Sequence, residues 1–472
     1  MQPLNLRYGG GIPFTLLHPL VIVGVLVGIS ALLVMRRKYV IVPVLLMAFL
    51  IPRSQQVVLG GLHISMLRIV ILAGFSRALV MQHALWKAGQ ARSNNQIDKI
   101  FVAWALCHAV AFCLLYRSAG AVLNQFGTLW DSLGGFFLLR IYLQDREGVE
   151  RAIKALAAVA ILVACCMVYE HFTRFNFFAL FELPGATLSE VRNGAVRARG
   201  PFAHPLLAGT FGATLVPLFV WIWVSGKSKL YAGAGLVASG IIVLTAHSST
   251  PFLAYAAGLI GILCWPLRQH MRAVRWGILG SLLALHLVMK APVWFIIGHI
   301  DLVGGSSSFH RAELVNLFIT RFSDWWLVGR PQDVDWGWDM WDTCNQYVEE
   351  GETGGVCAFA CFLALIVMSF KQLGRARIAF NGDRQQQWFF WLLGATLFSH
   401  VVGFFGISYS DQTRMLWYAV LAMITVATAA SPVASRLETT SVSTQSGVAL
   451  GWQLIDRVGD SGRRSPNATS AS

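Results

Sequence analysis

Residues 197–224 read RARGPFAHPLLAGTFGATLVPLFVWIWV, and this stretch indicates the class of fold. Residues 206–224 contain no charged side chain. A helix needs about 20 apolar residues to cross a hydrocarbon layer of about 30 Å, so the run predicts a membrane-spanning helix. The polar section before it, with Arg197 and Arg199, is then expected at a membrane surface.

The composition extends this prediction to the whole chain of 472 residues. Hydrophobic residues make up 56%, charged residues make up 13%, and the mean hydropathy is +0.59. Soluble proteins contain about 25% charged residues. Long apolar runs recur and predict an all-α polytopic transmembrane bundle of about 12–13 spans. The segments are 13–35, 39–51, 64–85, 100–116, 122–143, 152–169, 206–224, 230–246, 252–267, 276–288, 354–370, 388–407 and 415–430.

Short basic loops orient the predicted bundle. Clusters such as Arg36-Arg37-Lys38 fall on one side, which the positive-inside rule makes cytoplasmic. The net charge of +14 is therefore interpreted as a topology signal, and no nucleic-acid partner is predicted. The opposite, extracytoplasmic side receives residues 173–201 and the long hydrophilic loop 291–353, which we expect to contain short helices and functional residues.

The domain organisation is predicted to be one membrane domain, residues 1–430, followed by a tail. The tail, residues 431–472, is rich in Ser and Thr and is predicted to be a disordered cytoplasmic extension. The first apolar run lacks a small-residue cleavage site and is interpreted as a retained span. The eight cysteines fall mostly inside apolar runs and are interpreted as core residues, with no CxxC metal pattern.

Arg197 and Arg199 precede a span on the predicted outer side. Guanidinium groups bind phosphate oxygens in a bidentate way, so the pair favours an anionic headgroup, with a lipid-linked diphosphate as the best candidate. An arginine that only anchors the chain to lipid headgroups is the alternative.

The long loop concentrates acidic residues and tryptophans, and it also contains Arg311. Carboxylates accept hydrogen bonds from sugar hydroxyls, and tryptophan faces stack on sugar C–H surfaces, so the combination favours a saccharide site. We expect Trp338 and Trp341 to line it. An interfacial aromatic belt beside a solvated acidic loop is the alternative.

The motif Arg197-x-x-Gly200-Pro-Phe-x-His-Pro205 ahead of a span resembles the arginine motif of the O-antigen ligase and O-antigen polymerase superfamily of bacterial membrane glycosyltransferases. Other stretches follow in that family's order within residues 152–370. They are LTAHSSTP at 244–251, FHRAE at 309–313, LVGR at 327–330, and NQY at 345–347 before the next span. The chain thus resembles a divergent member of the superfamily.

Two positions depart from the family's pattern. The histidine that usually precedes the motif asparagine is Cys344 here, and a neutral thiol is a poor base near pH 7. The arginine that many members carry near Ser248 is replaced by Ser249. The resemblance therefore leaves the general base open and implies one phosphate contact fewer.

The resemblance implies transfer of a saccharide from undecaprenyl diphosphate to a hydroxyl of a glycan or lipid acceptor, during O-antigen or exopolysaccharide assembly. No metal and no cofactor are implied. Arg197, Arg199 and Arg311 would bind the diphosphate and stabilise its growing charge, and Asn345 would orient an acceptor or phosphate oxygen. The implied location is the bacterial inner membrane, with an extracytoplasmic active face and polysaccharide assembly proteins as possible partners.

Five side chains are candidates for the base that deprotonates the acceptor hydroxyl. We prefer Glu350, because partial burial near the next span would raise the pKa of a carboxyl group. The other candidates, which are also expected to line the substrate site, are Glu349, Asp342, His204 and His310. Solvated loop side chains without a catalytic role are the alternative for each.

Two other functions are open at this point. A transporter or flippase of lipid-linked saccharides would also use outward arginines, but it should show interrupted spans in corresponding halves, and none is evident. A non-catalytic assembly partner would explain Cys344. Separately, Arg68 and Asp131 fall inside predicted spans, where we expect them to form an ion pair.

Overall fold

The computed structural model describes residues 14–429, apart from 53, 61, 87–94, 183–188, 227, 300–307, 332–335, 338–339 and 341. Among these residues it contains sixteen α-helices and two hairpins of two short strands, so the prediction of an all-α fold is confirmed. The predicted tail, 431–472, lies outside the described residues. The helices are α1 Pro19–Val34, α2 Ile41–Leu50, α3 Met66–Trp86, α4 Gln96–Tyr116, α5 Ala119–Leu129, α6 Gly135–Tyr142, α7 Arg146–Thr173, α8 Pro205–Ser225, α9 Lys229–Ala246, α10 Ser249–Leu263, α11 Met271–Val288, α12 Ser308–Thr320, α13 Phe322–Trp325, α14 Gln346–Ala379, α15 Arg384–Gly403 and α16 Asp411–Ala429.

Every predicted apolar segment forms helix. Six helices in the described part of the chain, α4, α7, α8, α9, α11 and α14, are long and apolar enough to cross a membrane, and α1 and α10 are shorter apolar helices. The chain is therefore a polytopic helical membrane protein, while the count of 12–13 spans stays a prediction. The predicted span 122–143 comprises α5 and α6, which a π-helical turn at Trp130–Gly134 joins.

The centre of the bundle is formed by α8 and α16. All residues of α16 from 415 to 428 are buried, as are most residues of α8. By contrast, α11 buries none of its residues. The expected ion pair between Arg68 of α3 and Asp131 of the π turn is confirmed, with two hydrogen bonds of 2.9 and 2.7 Å.

Two antiparallel hairpins, which the sequence reasoning did not predict, lie on one face of the bundle. Strands β1 Gln56–Leu59 and β2 Leu62–Ser65 form the first, and β3 Glu190–Arg192 and β4 Ala195–Arg197 form the second. The Gln55 amide beside β1 donates to the carbonyl of Phe181, which places the first hairpin near the segment that leads to the second. We call this side the hairpin face.

The basic loops meet at the opposite end of the helices. The Arg377 guanidinium donates to the carbonyl of Arg268 at 2.9 Å, and Gln372 of α14 donates to Asn95 at 2.7 Å. The loops that the sequence assigned to one side of the membrane are therefore neighbours in space.

The long loop has a small hydrophobic core of its own, built on α12 and α13, which confirms the short helices expected there. It consists of Leu314, Phe318, Trp325, Trp336 and Val348. The ring of Trp325 stacks on Phe318 with centroids 4.0 Å apart. These tryptophans are thus core residues, which corrects their interpretation as sugar-stacking surfaces, while Trp338 and Trp341 lie outside the described residues.

This loop is joined to α14 at a break in the helix. Gly355 has a φ of 66°, and residues on both sides of it bond to the loop. The amide of Val356 donates to the Trp326 carbonyl at 2.8 Å, and the amide of Arg330 donates to the Glu352 carbonyl at 2.7 Å. The backbone around the break therefore holds the loop against α14.

Candidate functional site

The second hairpin positions Arg197. Its two-residue turn, Asn193-Gly194, has φ values of 51° and 80°, as a type I′ turn requires. The register pairs Glu190 with Arg197, and the Glu190 carboxylate accepts a hydrogen bond from the Arg197 guanidinium. Arg197 is 1% exposed, so its charge is held in a largely desolvated position.

The turn after β4 is fixed by Glu170, at the end of α7. Its carboxylate accepts hydrogen bonds from the amides of Arg199 and Gly200 at 3.1 and 2.8 Å, and from the Ser189 hydroxyl at 2.8 Å. Gly200 has a φ of 54°, a conformation that glycine adopts without strain. The glycine of the arginine motif is thus needed for the bend that leads from the hairpin to α8.

His204 is the N-cap of α8. Its Nδ1 accepts from the amide of Leu206 at 3.2 Å, and its Nε2 lies 3.8 Å from a Glu190 carboxylate oxygen. Burial, and then the charge of Arg197, lower the pKa of His204. The imidazole is therefore neutral near pH 7, and its Nδ1 is committed to capping.

Arg311 lies on α12 and is buried near Arg197. Burial lowers the pKa of Arg311; Cys344 and Asp342 oppose this effect, whereas Arg192 and Arg197 lower the pKa further. Arg192, Arg197 and Arg311 are therefore close enough to repel one another. We call these three residues the arginine cluster. Its members come from the two segments that were predicted to lie on the outer side.

Arg199 belongs to a different contact. Its guanidinium donates to the two carboxylate oxygens of Glu182 at 3.3 and 2.7 Å, and to the Ala203 carbonyl at 3.4 Å. Arg199 lies beyond the end of β4, in the turn, so the alternation of side chains along a strand does not set its direction. These contacts favour a structural role for Arg199 in this turn over the predicted contact with a diphosphate.

Asp342 lies beside the arginine cluster in the loop before α14. Its backbone carbonyl is 3.1 Å from the Nε2 of His310, and its carboxylate accepts from the Cys344 thiol at 3.1 Å. Asp342 also acts electrostatically on both His204 and Arg311. The cluster thus has a carboxylate on either side, Glu190 from the hairpin and Asp342 from the loop.

The preferred base, Glu350, is buried between α4 and α14. It is 2% exposed, and one carboxylate oxygen accepts from Trp104 and contacts the Nε2 of His108, both at 2.6 Å. The other oxygen accepts from Gln346 at 2.7 Å. Both carboxylate oxygens are therefore engaged by side chains of α4 and α14, which favours a structural role for Glu350 over the predicted role of general base.

Asn345 is the N-cap of α14 and is fully buried. Its side-chain oxygen accepts from the amides of Tyr347 and Val348 at 2.9 and 3.3 Å, and its amide nitrogen donates to the Phe405 carbonyl at 3.4 Å. Helix capping, the alternative to a role in the reaction, therefore accounts for its contacts.

Glu349, the neighbour of Glu350, is the carboxylate that remains. It is partly exposed, and within the described part of the chain its side chain makes no hydrogen bond or ion pair. Its electrostatic surroundings include Arg414 of α16 and Asp342. Asp342 thus interacts electrostatically both with Glu349 and with Arg311 of the arginine cluster.

Sequence reasoning missed two arginines of this region. Arg192 precedes Asn193-Gly194, a dipeptide typical of hairpin turns, and this signal was available in the sequence. Arg414 follows the polar stretch SYSDQT, residues 408–413, between two apolar runs. Its Nε donates to the Tyr409 carbonyl at 2.6 Å, which fixes it at the start of α16.

The arrangement combines three arginines with two nearby carboxylates, Glu190 and Asp342. No group of three or more His, Cys, Asp or Glu side chains among the described residues is placed to hold a metal ion. No protein-family model matches the chain, and no curated protein matches it significantly. The resemblance to O-antigen ligases and polymerases therefore stays a prediction.

Proposed function

We propose that the protein transfers a saccharide from a lipid-linked diphosphate to an acceptor hydroxyl at the arginine cluster. The observation that carries the proposal is the convergence of Arg197 and Arg311, both buried, from two distant segments of the chain. Arg192 adds a third positive charge at the same place. A resident cluster of like charges is costly unless an anion neutralises it.

A diphosphate suits this surface better than a single carboxylate does. Guanidinium groups present parallel N–H donors that match pairs of phosphate oxygens. Glu190 and Asp342 compensate part of the positive charge, so an anionic ligand completes the balance.

Each of these groups has a role in the proposed reaction. The acceptor oxygen attacks the anomeric carbon of the donor sugar, and the bond from that carbon to the diphosphate oxygen breaks. The electron pair leaves with the diphosphate, whose added charge the arginine cluster stabilises. Glu349 accepts the acceptor proton, because its side chain makes no hydrogen bond or ion pair within the described residues and interacts electrostatically with Asp342 beside the cluster.

The proposed setting is the bacterial inner membrane, with the hairpin face on the extracytoplasmic side. The basic loops at the opposite end of the helices support this orientation through the positive-inside rule. Undecaprenyl diphosphate-linked saccharide is the proposed donor, and a glycan or lipid of the cell surface is the proposed acceptor.

Reconstitution of the purified protein in vesicles tests the proposal. With an undecaprenyl diphosphate-linked oligosaccharide, the wild type should release undecaprenyl diphosphate and form a longer or transferred glycan. Arg197→Ala and Arg311→Ala should each lower the rate by about 10²–10³-fold. The exposed Arg321 on the same loop provides the control, and Arg321→Ala should retain activity.

Three results would contradict the proposal. Retained turnover in both arginine variants would separate the cluster from the reaction. Movement of the lipid-linked donor between leaflets, without glycan transfer, would indicate a flippase instead. A purified protein that neither transfers nor moves the donor would fit a non-catalytic assembly partner.

A further inference from the structure

The end of α12 and the short helix α13 carry an exposed apolar edge. Phe322 is 48% exposed, Trp326 45% and Leu327 62%. Ile319, one turn before Phe322, is also exposed. We call these four residues the apolar edge of the loop. Their exposure contrasts with Trp325 next to them, which the loop's own core buries.

The apolar edge is continuous with the exposed surface of α14. The Trp326 carbonyl accepts from the amide of Val356 at 2.8 Å. The Leu327 carbonyl lies 2.5 Å from where a Cβ on Gly355 would be, so the two backbones are in direct contact. Val356 is the first exposed apolar residue after the break in α14.

The surface then runs down one side of α14. Val356, Leu363 and Val367 are exposed and are spaced by seven and four residues, which places them on one face of the helix. Because α14 is long and apolar enough to span a membrane, this face is the one that contacts lipid. The apolar edge extends it beyond the break.

We propose that the apolar edge inserts into the membrane interface, so that a lipid bilayer is the occupant of this surface. Large aromatic side chains such as Trp326 and Phe322 are favoured at the boundary between acyl chains and headgroups. The inference rests on the spanning of α14 and is independent of the proposed transferase activity.

Insertion would fix the height of the loop above the bilayer. Ile319 and Arg311 belong to the same helix, α12, so an anchored end of this helix sets the position of the arginine cluster relative to the membrane surface. A headgroup-level diphosphate would then meet the cluster without leaving the bilayer. The loop therefore acts as a membrane-bound element and not as a free extracytoplasmic segment.

Photolabelling of the native, full-length protein tests this inference. The protein is placed in nanodiscs whose lipids carry a diazirine in the acyl chain, and the labelled residues are identified by mass spectrometry. Phe322, Trp326 and Leu327 should be labelled as strongly as Leu363 and Val367. Ser323, on the same short helix, should be labelled about tenfold less, because only the apolar edge enters the lipid.

Labelling of Leu363 and Val367 together with background labelling of the apolar edge would overturn the inference. Cross-links from the edge to a second copy of the chain would do the same, since they would identify a protein as the occupant. A double variant, Phe322→Ser with Trp326→Ser, should lose the label at Leu327 and keep it at Leu363. Transfer activity is measured separately, and the labelling of the apolar edge does not depend on it.

Discussion

Glu349 and Glu350 are adjacent in the sequence and have opposite surroundings. Successive residues of a helix point about 100° apart, so the first turn of α14 directs Glu350 into the bundle and leaves Glu349 partly exposed. Glu350 joins α4 to α14 through Trp104 and His108. These surroundings favour a structural role for Glu350, and the proposed role in proton transfer falls to Glu349.

Matched substitutions of the two glutamates separate these roles. Glu349→Gln should lower kcat by about 10²–10⁴-fold, because the amide cannot accept the acceptor proton, and donor affinity should not change. Glu350→Ala should lower stability by about 3–5 kcal/mol, because it leaves buried partners unpaired. Glycan transfer and thermal unfolding in detergent measure the two effects. A Glu349→Gln variant with full activity would exclude this carboxylate as the base.

His204 predicts a pH dependence of stability. Burial, followed by the charge of Arg197, lowers its pKa, so the folded protein binds this proton more weakly than the unfolded chain. The free energy of unfolding is therefore unaffected by this group above its ordinary pKa of about 6.5. It decreases as the pH falls below that value, because the unfolded chain binds the proton more strongly. Thermal unfolding between about pH 7.5 and about pH 5 measures this loss of stability.

The control for this prediction is His204→Asn. Asparagine caps helices without titrating, so the variant should keep the cap and lose part of the acid sensitivity. Equal slopes of stability against pH in the two proteins would show that His204 does not contribute.

At the scale of single residues, the sequence identified part of the site. Arg197 and Arg311 were found because charged side chains in short polar segments between apolar runs are uncommon. The burial of Glu350 between α4 and α14 was not predictable, since the direction of a side chain on the first turn of a helix depends on where the helix begins. Arg192 was missed because its nearness to Arg311 depends on the hairpin.

At the scale of elements, the break in α14 determines how the long loop is attached. Gly329 has a φ of 90°, and a Cβ added there would lie 2.3 Å from the Glu352 carbonyl oxygen. Arg330, the next residue, forms an ion pair with Glu352 at 2.8 Å. Close backbone contact and the ion pair together hold the loop, and with it α12, in place.

Gly329→Ala should therefore detach the loop. The variant combines backbone strain of about 1–3 kcal/mol with a steric clash against the main chain. The control is Gly382→Ala, because Gly382 has a φ of 103° and open space around its Cα. Limited proteolysis of the loop should accelerate in Gly329→Ala and stay close to wild type in Gly382→Ala. Equal protection of the loop in both variants would contradict this account.

The helices were predictable from sequence and the hairpins were not. Long apolar runs predict helices directly, since a segment that spans a membrane must satisfy its backbone hydrogen bonds internally. The strands Glu190–Arg192 and Ala195–Arg197 have three residues each, too few for a clear alternating pattern. Trp325 and Trp336 looked like ligand surfaces because the loop's core forms only when α12, α13 and α14 meet.

At the scale of the whole molecule, the bundle brings distant segments to one face. The hairpin before α8 contributes Arg197, α12 contributes Arg311, and the turn before α14 contributes Asp342. The helices around α8 and α16 hold these elements in register, and the basic loops lie at the other end. The fold thus separates a face with built charge pairs from a face that carries the basic loops.

Binding of a polyprenyl diphosphate to the purified protein tests the central claim most directly. The Kd should rise by about 10–100-fold in Arg311→Ala and in Arg197→Ala, since hydrogen bonds to charged groups contribute about 1.5–3 kcal/mol. The Kd of Arg321→Ala should match the wild type, and the matching monophosphate should bind more weakly than the diphosphate. Unchanged diphosphate affinity in both cluster variants would contradict the account.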